Sequence, residues 1–437
     1  MPTATTLSDV FPLGARLNER GRVEVGGCDT IELAREFGTP SYVVAEDDLR
    51  ARARAFLRTG REAGAEDLQV VFASKAFPCS AVLALFAEEG LWCDVASGGE
   101  LHLALGAGFP AGRLVLHGNA KSEVELRVAL RARVGAIVID NFDEIERLQR
   151  LISDGALAAR DGADGGGDGP AAPQPVLLRV TPDVAGETHE KISTGQANSK
   201  FGFGMVDARE AIARVERVEG LELQGLHAHV GSQLLSLEPF RRAADALATL
   251  GEFPVWDLGG GLGVRYLEEQ TAPPTIEEYV AAVVQAGAGR SRRLMIEPGR
   301  ALCANSTVTL YTVESVKQNV SRWVAVDGGM SDNLRPMLYG ARYEAHVADR
   351  FGGSSACVLA GKHCESGDVI VREALLADPR PGDVVVTPAT GAYGFAMSNN
   401  YNGVPRAPVI FCREGDARVV VRRERVEDLT ARDVRAR

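Results

Sequence analysis

The sequence has no pair of cysteines at a spacing that builds a disulfide framework or a zinc site. Its seven cysteines, Cys28, Cys79, Cys93, Cys303, Cys357, Cys364 and Cys412, are scattered without a CxxC, the usage of reduced thiols in a cytosolic protein. There is no excess of positive charge either. A formal net charge of −11 argues against nucleic acid and against an anionic membrane, both of which need a basic face. Small anionic ligands, held locally, stay open. No apolar run approaches bilayer length, and Met1-Pro2-Thr3-Ala4-Thr5-Thr6 lacks the basic stretch and apolar core of a secretory signal. These absences read as a cytoplasmic protein. What is present, 437 residues that are 45% hydrophobic and 24% charged, suffices for two globular domains.

Residues 1–40 read as an extended opening. Val23-Glu24-Val25 suits a short strand, and Ile31–Phe37 a helix that ends at Gly38 with Pro40 beyond it. From residue 41 apolar strands alternate with amphipathic helices. After an entry strand at Ser41–Ala45 there are eight strand candidates: Val70–Ser74, Trp92–Ala96, Leu114–Gly118, Ala136–Asp140, Val176–Val180, Leu223–Val230, Val255–Gly259 and Leu294–Pro298. Helices are expected between them, at Glu123–Ala132 and Phe142–Ile152 for example. This rhythm predicts an α/β (β/α)8 TIM-like barrel over 41–305, with a doubly wound open sheet as the structural rival. A Gly/Asp-rich stretch within about 155–174 has nothing to bury and reads as a flexible surface insertion. After residue 305 short strands with turn signals at Thr307–Val313, Arg322–Val326, Val369–Val371, Val384–Thr387, Val409–Phe411 and Val419–Arg422 predict an all-β second domain, a β-sandwich or β-barrel, which residues 1–40 join.

Candidate chemistry falls at strand ends, where such a barrel carries its active site. Lys75 follows the first barrel strand, and alone is either a solvated cation or an amine held in a pocket. The seventh strand runs into Gly259-Gly260-Gly261, and the eighth into Glu297-Pro298-Gly299-Arg300. Glycines let backbone amides approach an anion, so both loops suit a phosphate, although a triple glycine alone is more often a plain turn. The sixth strand ends in His227-Ala228-His229, followed by Ser232. Its two histidines point to one face and suit a metal pair, a ring stacked on a flat cofactor, or core histidines. A lysine, a phosphate cup and a flat ring together suggest pyridoxal 5'-phosphate, with Lys75 forming the Schiff base and Glu297 pairing with the pyridine nitrogen. No metal is expected.

The ordered motifs Phe72-Ala73-Ser74-Lys75-Ala76, His117-Gly118-Asn119-Ala120-Lys121-Ser122, His189–Gly195, Ser199–Gly204, His227–Gln233, the glycine run, Glu297–Arg300, Asp327–Met330, Arg335–Gly340, Cys364–Asp368 and Gly391-Ala392-Tyr393 resemble the diaminopimelate decarboxylase family, pyridoxal enzymes of alanine-racemase-like fold within the class-II ornithine/lysine/arginine decarboxylases. The resemblance covers nearly the whole chain. It implies that His229 stacks on the cofactor ring and that Gly259, Gly260, Gly261, Gly299 and Arg300 hold the phosphate. It further implies that Arg300, Arg335 and Tyr339 bind the distal end of the substrate, that Glu365 holds the distal ammonium, that Tyr393 touches cofactor and substrate, and that Cys364 is the proton donor. Ser232 belongs with the cofactor set. A homodimer is implied, in which Cys364-Glu365 reach the other subunit's barrel and a monomer is inactive. The reaction implied is decarboxylation of meso-2,6-diaminopimelate to L-lysine. The alternatives are a related decarboxylase for another basic or carrier-linked amino acid, a racemase, and a dead cofactor-binding homologue. Ala120, Met330–Asn333 and the insertion depart from the family pattern.

Overall fold

The computed structural model of the protein describes residues 5–157, 172–184 and 199–434. Most of the expected insertion and the motif at 189–195 lie outside the described residues. The chain divides into two units, Ala53–Gly263 with Pro273–Gly299, and Met1–Arg52 with Val264–Ala272 and Arg300–Arg437.

The first unit is the expected barrel. Eight strands pair in parallel: β1 (Gln69–Ala73), β2 (Trp92–Val95), β3 (Leu114–Leu116), β4 (Ala136–Ile139), β5 (Gln174–Thr181), β6 (Leu221–His227), β7 (Val255–Asp257) and β8 (Arg293–Ile296). Each pairs with the next, and Met295 and Ile296 of β8 pair with Gln69 and Val70 of β1, closing the ring. The eight candidates after the entry strand are the barrel strands, most of them apolar runs buried on both faces; β6 departs, its first four residues, 221–224, being partly or fully exposed. Helices Glu123–Ala132 and Phe142–Ser153 start at side-chain caps, Ser122 in a reciprocal capping box with Glu125 and Asn141 accepting from the Glu144 amide.

Val71, Val115, Ala136, Val138, Leu177, Val255 and Met295 form one apolar cluster, with Trp92 packed against it. Inward-pointing side chains alternate along a strand. Two residues further toward the C-terminal ends, the same face therefore carries Ala73, Asp94, His117, Asp140, Arg179, Asp257 and Glu297. The apolar filling gives way within one pleat to a charged layer. On β6 that register places Gly225 in the apolar layer and His227 above it. A Cβ on Gly225 would lie 1.8 Å from the Val255 carbonyl oxygen, so only glycine lets β6 and β7 close there.

The second unit is a mixed sheet whose main path runs Val369–Leu376, Ser355–Ala360, Arg322–Val326, Thr307–Gln318, Ser41–Ala45, Val409–Arg413 and Asp416–Val421. Val384–Thr387 also pairs with Thr307–Gln318, and His346–Val347 pairs with Val384–Thr387. The sequence reading placed Ser41–Ala45 at the start of the barrel segment. It instead pairs antiparallel with Thr307–Leu310 and parallel with Val409–Cys412, and is buried throughout. A strand buried on both faces suits the centre of either sheet, so its apolar pattern does not reveal which one takes it. The helix Thr30–Phe37 begins at Asp29, which accepts from the Ile31 and Glu32 amides, and ends at Gly38 with φ +72°, as its sequence predicts.

Candidate active site

In the barrel unit, Lys75 lies in a single turn, Ser74–Ala76, directly after β1. Its side chain is half exposed and its Nζ donates to Asp94 Oδ2 at 2.7 Å, while Asp94 itself is buried. A carboxylate fixed on β2 thus aims an amine that the solvent still reaches.

Glu297, immediately after β8, is buried among two imidazoles. His117 Nε2 lies 2.7 Å from Glu297 Oε1, and His227 Nε2 lies 3.4 Å from Glu297 Oε2. The two histidine rings meet edge to face at 4.9 Å. Asp257 completes a quartet with His117, His227 and Glu297, whose donor atoms all lie within 4.8 Å of one another. Burial would push both carboxyls up, but the electrostatic pull of the adjacent His117 and His227 rings outweighs it at Glu297, which is held well below the usual carboxylate range. Asp257 is pushed well above it, by burial first and then by the Glu297 charge. Two carboxyls this close cannot both ionise. Glu297 therefore carries the charge and Asp257 the proton. Burial also pulls His227 down to about 4, leaving it neutral. Arg179 on β5 lies 4.0 Å from Asp140 and adds a cation to the same layer.

His229 follows β6. Its Nδ1 accepts from the Gly260 amide at 3.2 Å, so the ring's proton sits on Nε2. Burial first, then the charges of Lys75 and Arg179, hold His229 well below its ordinary pKa, consistent with a neutral ring. Gly260 is confined: a Cβ there would lie 2.0 Å from the Glu297 carbonyl oxygen. Gly259 has φ +64° and its amide donates to Asp257 Oδ1 at 2.9 Å. The glycine run thus ties the end of β7 to His229. Ser232 is half-buried in the loop after β6. A Cβ on Gly299 would come within 3.0 Å of the Ala73 side chain, which fixes the loop after β8 against the end of β1.

This donor set fits pyridoxal phosphate. It supplies a reachable amine, a buried ionised carboxylate for a protonated ring nitrogen, a neutral flat ring, and glycines packed too tightly to carry side chains. Asp94, His117, Arg179 and Asp257 had no role in the sequence reading. Their signal was the register, since each lies two residues past an inward apolar position.

In the second unit, Arg300, Arg335 and Tyr393 lie in one aromatic cluster. The Arg300 guanidinium carbon is 5.0 Å from the centre of the Tyr393 ring, and Arg335 is 4.7 Å from that of Tyr266. Both arginines are buried. Tyr393 has φ +63°, which a side-chain-bearing residue adopts at a cost. Tyr339 ends the short helix Arg335–Tyr339, half-buried. Cys364 and Glu365 lie on an exposed turn whose base is fixed from within. His363 Nδ1 lies 2.7 Å from Asp368 Oδ2, and Asp368 also accepts the Met330 and His363 amides. The Cys364 amide donates to Asn402 Oδ1 at 2.8 Å. All seven cysteines are free, and Cys364 is exposed where the others are buried. Tyr266 and Tyr343, which wall the arginine cluster, were not singled out by the sequence.

The family described as pyridoxal-dependent decarboxylase, pyridoxal binding domain, matches residues 47–304. The chain is 46% identical to the diaminopimelate decarboxylase of Actinosynnema pretiosum subsp. auranticum over 97% of this chain and 95% of that one. It is 42% identical to that of Bacillus subtilis (strain 168), over 96% and 97%. Among solved structures, the diaminopimelate decarboxylase of M. jannaschii in co-complex with L-lysine superposes with a TM-score of 0.88 at 29% identity, covering 97% of this chain and 98% of the other. The chain belongs to the pyridoxal-dependent decarboxylase family, among the diaminopimelate decarboxylases.

Proposed function

We propose that this protein decarboxylates meso-2,6-diaminopimelate to L-lysine and carbon dioxide, the last step of lysine biosynthesis, using pyridoxal 5'-phosphate. The observation that carries the reading is the polar layer of the barrel, where Lys75, His229 and Glu297 stand at the ends of β1, β6 and β8. When bound, the cofactor supplies an aldehyde that condenses with an amine and a ring that withdraws electrons from the carbon losing carbon dioxide.

The chain's own residues do the rest. Lys75, aimed by Asp94, offers the amine. Glu297 holds a proton at the ring nitrogen, and its charge is secured by His117 and His227. His229 presents a neutral ring as a flat platform. Ser232, Gly259, Gly260, Gly261, Gly299 and Arg300 hold the phosphate, for which amides and a guanidinium are suited. Arg335, with Arg300, Tyr339 and Tyr393, takes the distal carboxylate, and Glu365 the distal ammonium. Cys364 delivers a proton from Sγ to the substrate carbon, a task within reach of a thiol whose reference pKa is about 8.5.

The active form is a homodimer in which Cys364 and Glu365, both exposed on their own chain, complete the other subunit's site. No described helix is long and apolar enough to cross a membrane, and the free cysteines suit the cytoplasm. Purified protein supplied with the cofactor and meso-diaminopimelate should release one carbon dioxide per L-lysine formed. Carbon dioxide without lysine, or neither product, would refute the assignment.

A further inference from the structure

Arg335 is a buried cation with an aromatic enclosure. Its guanidinium carbon lies 4.7 Å from the Tyr266 ring centre and 5.5 Å from that of Tyr343, and its Nη1 donates to the Tyr343 hydroxyl. The two tyrosine rings meet edge to face at 5.3 Å and 79°, and both are buried. Among the described residues, Arg335 forms no ion pair with a carboxylate. Arg300 joins the same ring from elsewhere: its Nη1 donates to the Tyr266 hydroxyl, with its guanidinium carbon 5.9 Å from the ring centre.

Burying a guanidinium without a counter-ion is costly. Cation–π contact with two rings offsets part of the cost. The hydroxyl of Tyr343 engages one of five N–H donors and thereby sets the rotation of the guanidinium plane. A plane fixed this way meets a carboxylate with two parallel bonds, whereas a freely turning one must be ordered on binding. Tyr266 serves two cations at once, its face toward Arg335 and its oxygen toward Arg300.

We infer that Tyr343 and Tyr266 are positioning residues that hold Arg335 and Arg300 as a preset receptor for the substrate's distal carboxylate, and so help set selectivity for a substrate that carries one. This inference rests on the function proposed above.

The test uses the cofactor-loaded enzyme with Tyr343→Phe and Tyr266→Phe, which remove one oxygen each and keep the rings. KM for meso-diaminopimelate should rise roughly tenfold, the factor expected for one hydrogen bond to a charged group, while kcat changes far less. Inhibition by L-lysine, which keeps that carboxylate, should weaken in parallel. Inhibition by 1,5-diaminopentane, the same chain without a carboxylate, should stay as in wild type, as should the cofactor's visible absorbance. Unchanged KM in both variants, or equal weakening of L-lysine and 1,5-diaminopentane, would overturn the inference while leaving the proposed reaction standing. A wild-type enzyme inert toward meso-diaminopimelate would overturn both.

Discussion

His117 Nε2 lies 2.7 Å from Glu297 Oε1, although the two residues follow β3 and β8, which are not neighbours in the barrel. The contact crosses the barrel interior just above its apolar filling, and His227 meets the other carboxylate oxygen. Glu297 is thus held charged in a buried setting where a carboxyl would otherwise be neutral. A ring nitrogen placed against it would keep its proton.

Lys75 should decide whether the cofactor is held covalently. Protein loaded with pyridoxal phosphate should be yellow, and Lys75→Ala should lose the wild-type absorption band. Absorption spectra of the two proteins, matched in concentration and gel-filtered, make the comparison. An identical band in the variant would remove Lys75 from its assigned place.

Cys364 should matter to turnover and to the assembly. Cys364→Ala should lower kcat by roughly 10²–10⁴, the range of a general acid. Mixed with Lys75→Ala and allowed to exchange subunits, it should recover about a quarter of wild-type activity, because half of the dimers are mixed and each of those has one complete site. No recovery despite demonstrated exchange would place Cys364 with its own chain's barrel.

His227 predicts a pH dependence of stability. Its pKa falls from 6.5 to about 4 on folding, through burial. Between those values the unfolded chain binds a proton that the folded chain refuses, so stability rises with pH through this window. The contribution is complete above 6.5 and is lost as pH falls toward 4, at about 1.4 kcal/mol per unit and roughly 3 kcal/mol in all. Denaturant unfolding of the cofactor-free protein across this range should show the slope, and His227→Gln should flatten it. Equal slopes would assign the acid sensitivity to other groups.

Gly260 should tolerate no side chain. With an added Cβ 2.0 Å from the Glu297 carbonyl oxygen, Gly260→Ala must displace the loop that carries Glu297. It should cost about 1–3 kcal/mol or more, read as a lowered Tm, and weaken pyridoxal phosphate binding. Gly289→Ala is a control for substitution at a glycine where an added Cβ would meet nothing within 4 Å but φ is +71°: it should cost stability and spare cofactor affinity.

The barrel was legible because most of its strands are continuous apolar runs, which burial on both faces demands. The glycine run, Glu297 and Lys75 were legible because strand ends are where such a barrel exposes chemistry. His117 and Asp257 were harder to see. They gain meaning only once the inward register is known, two residues past Val115 and Val255. The enclosure of Arg335 left no local signature at all, since Tyr266 and Tyr343 belong to separate segments that meet only in the folded unit. His346–Val347 is too short to stand out, and Ser355–Ala360 mixes buried with half-buried and exposed positions, so neither announces a strand.

The most direct test of the proposed function is a comparison of substrates on one preparation of cofactor-loaded enzyme: carbon dioxide release from meso-diaminopimelate, ornithine, arginine and lysine, expressed as kcat/KM. Diaminopimelate alone offers both a carboxylate to lose and a distal carboxylate for Arg335. It should exceed each of the others by at least about a hundredfold, since leaving a buried charged partner unpaired costs about 3 kcal/mol or more. Ornithine, arginine or lysine turning over as fast as diaminopimelate would contradict the assignment.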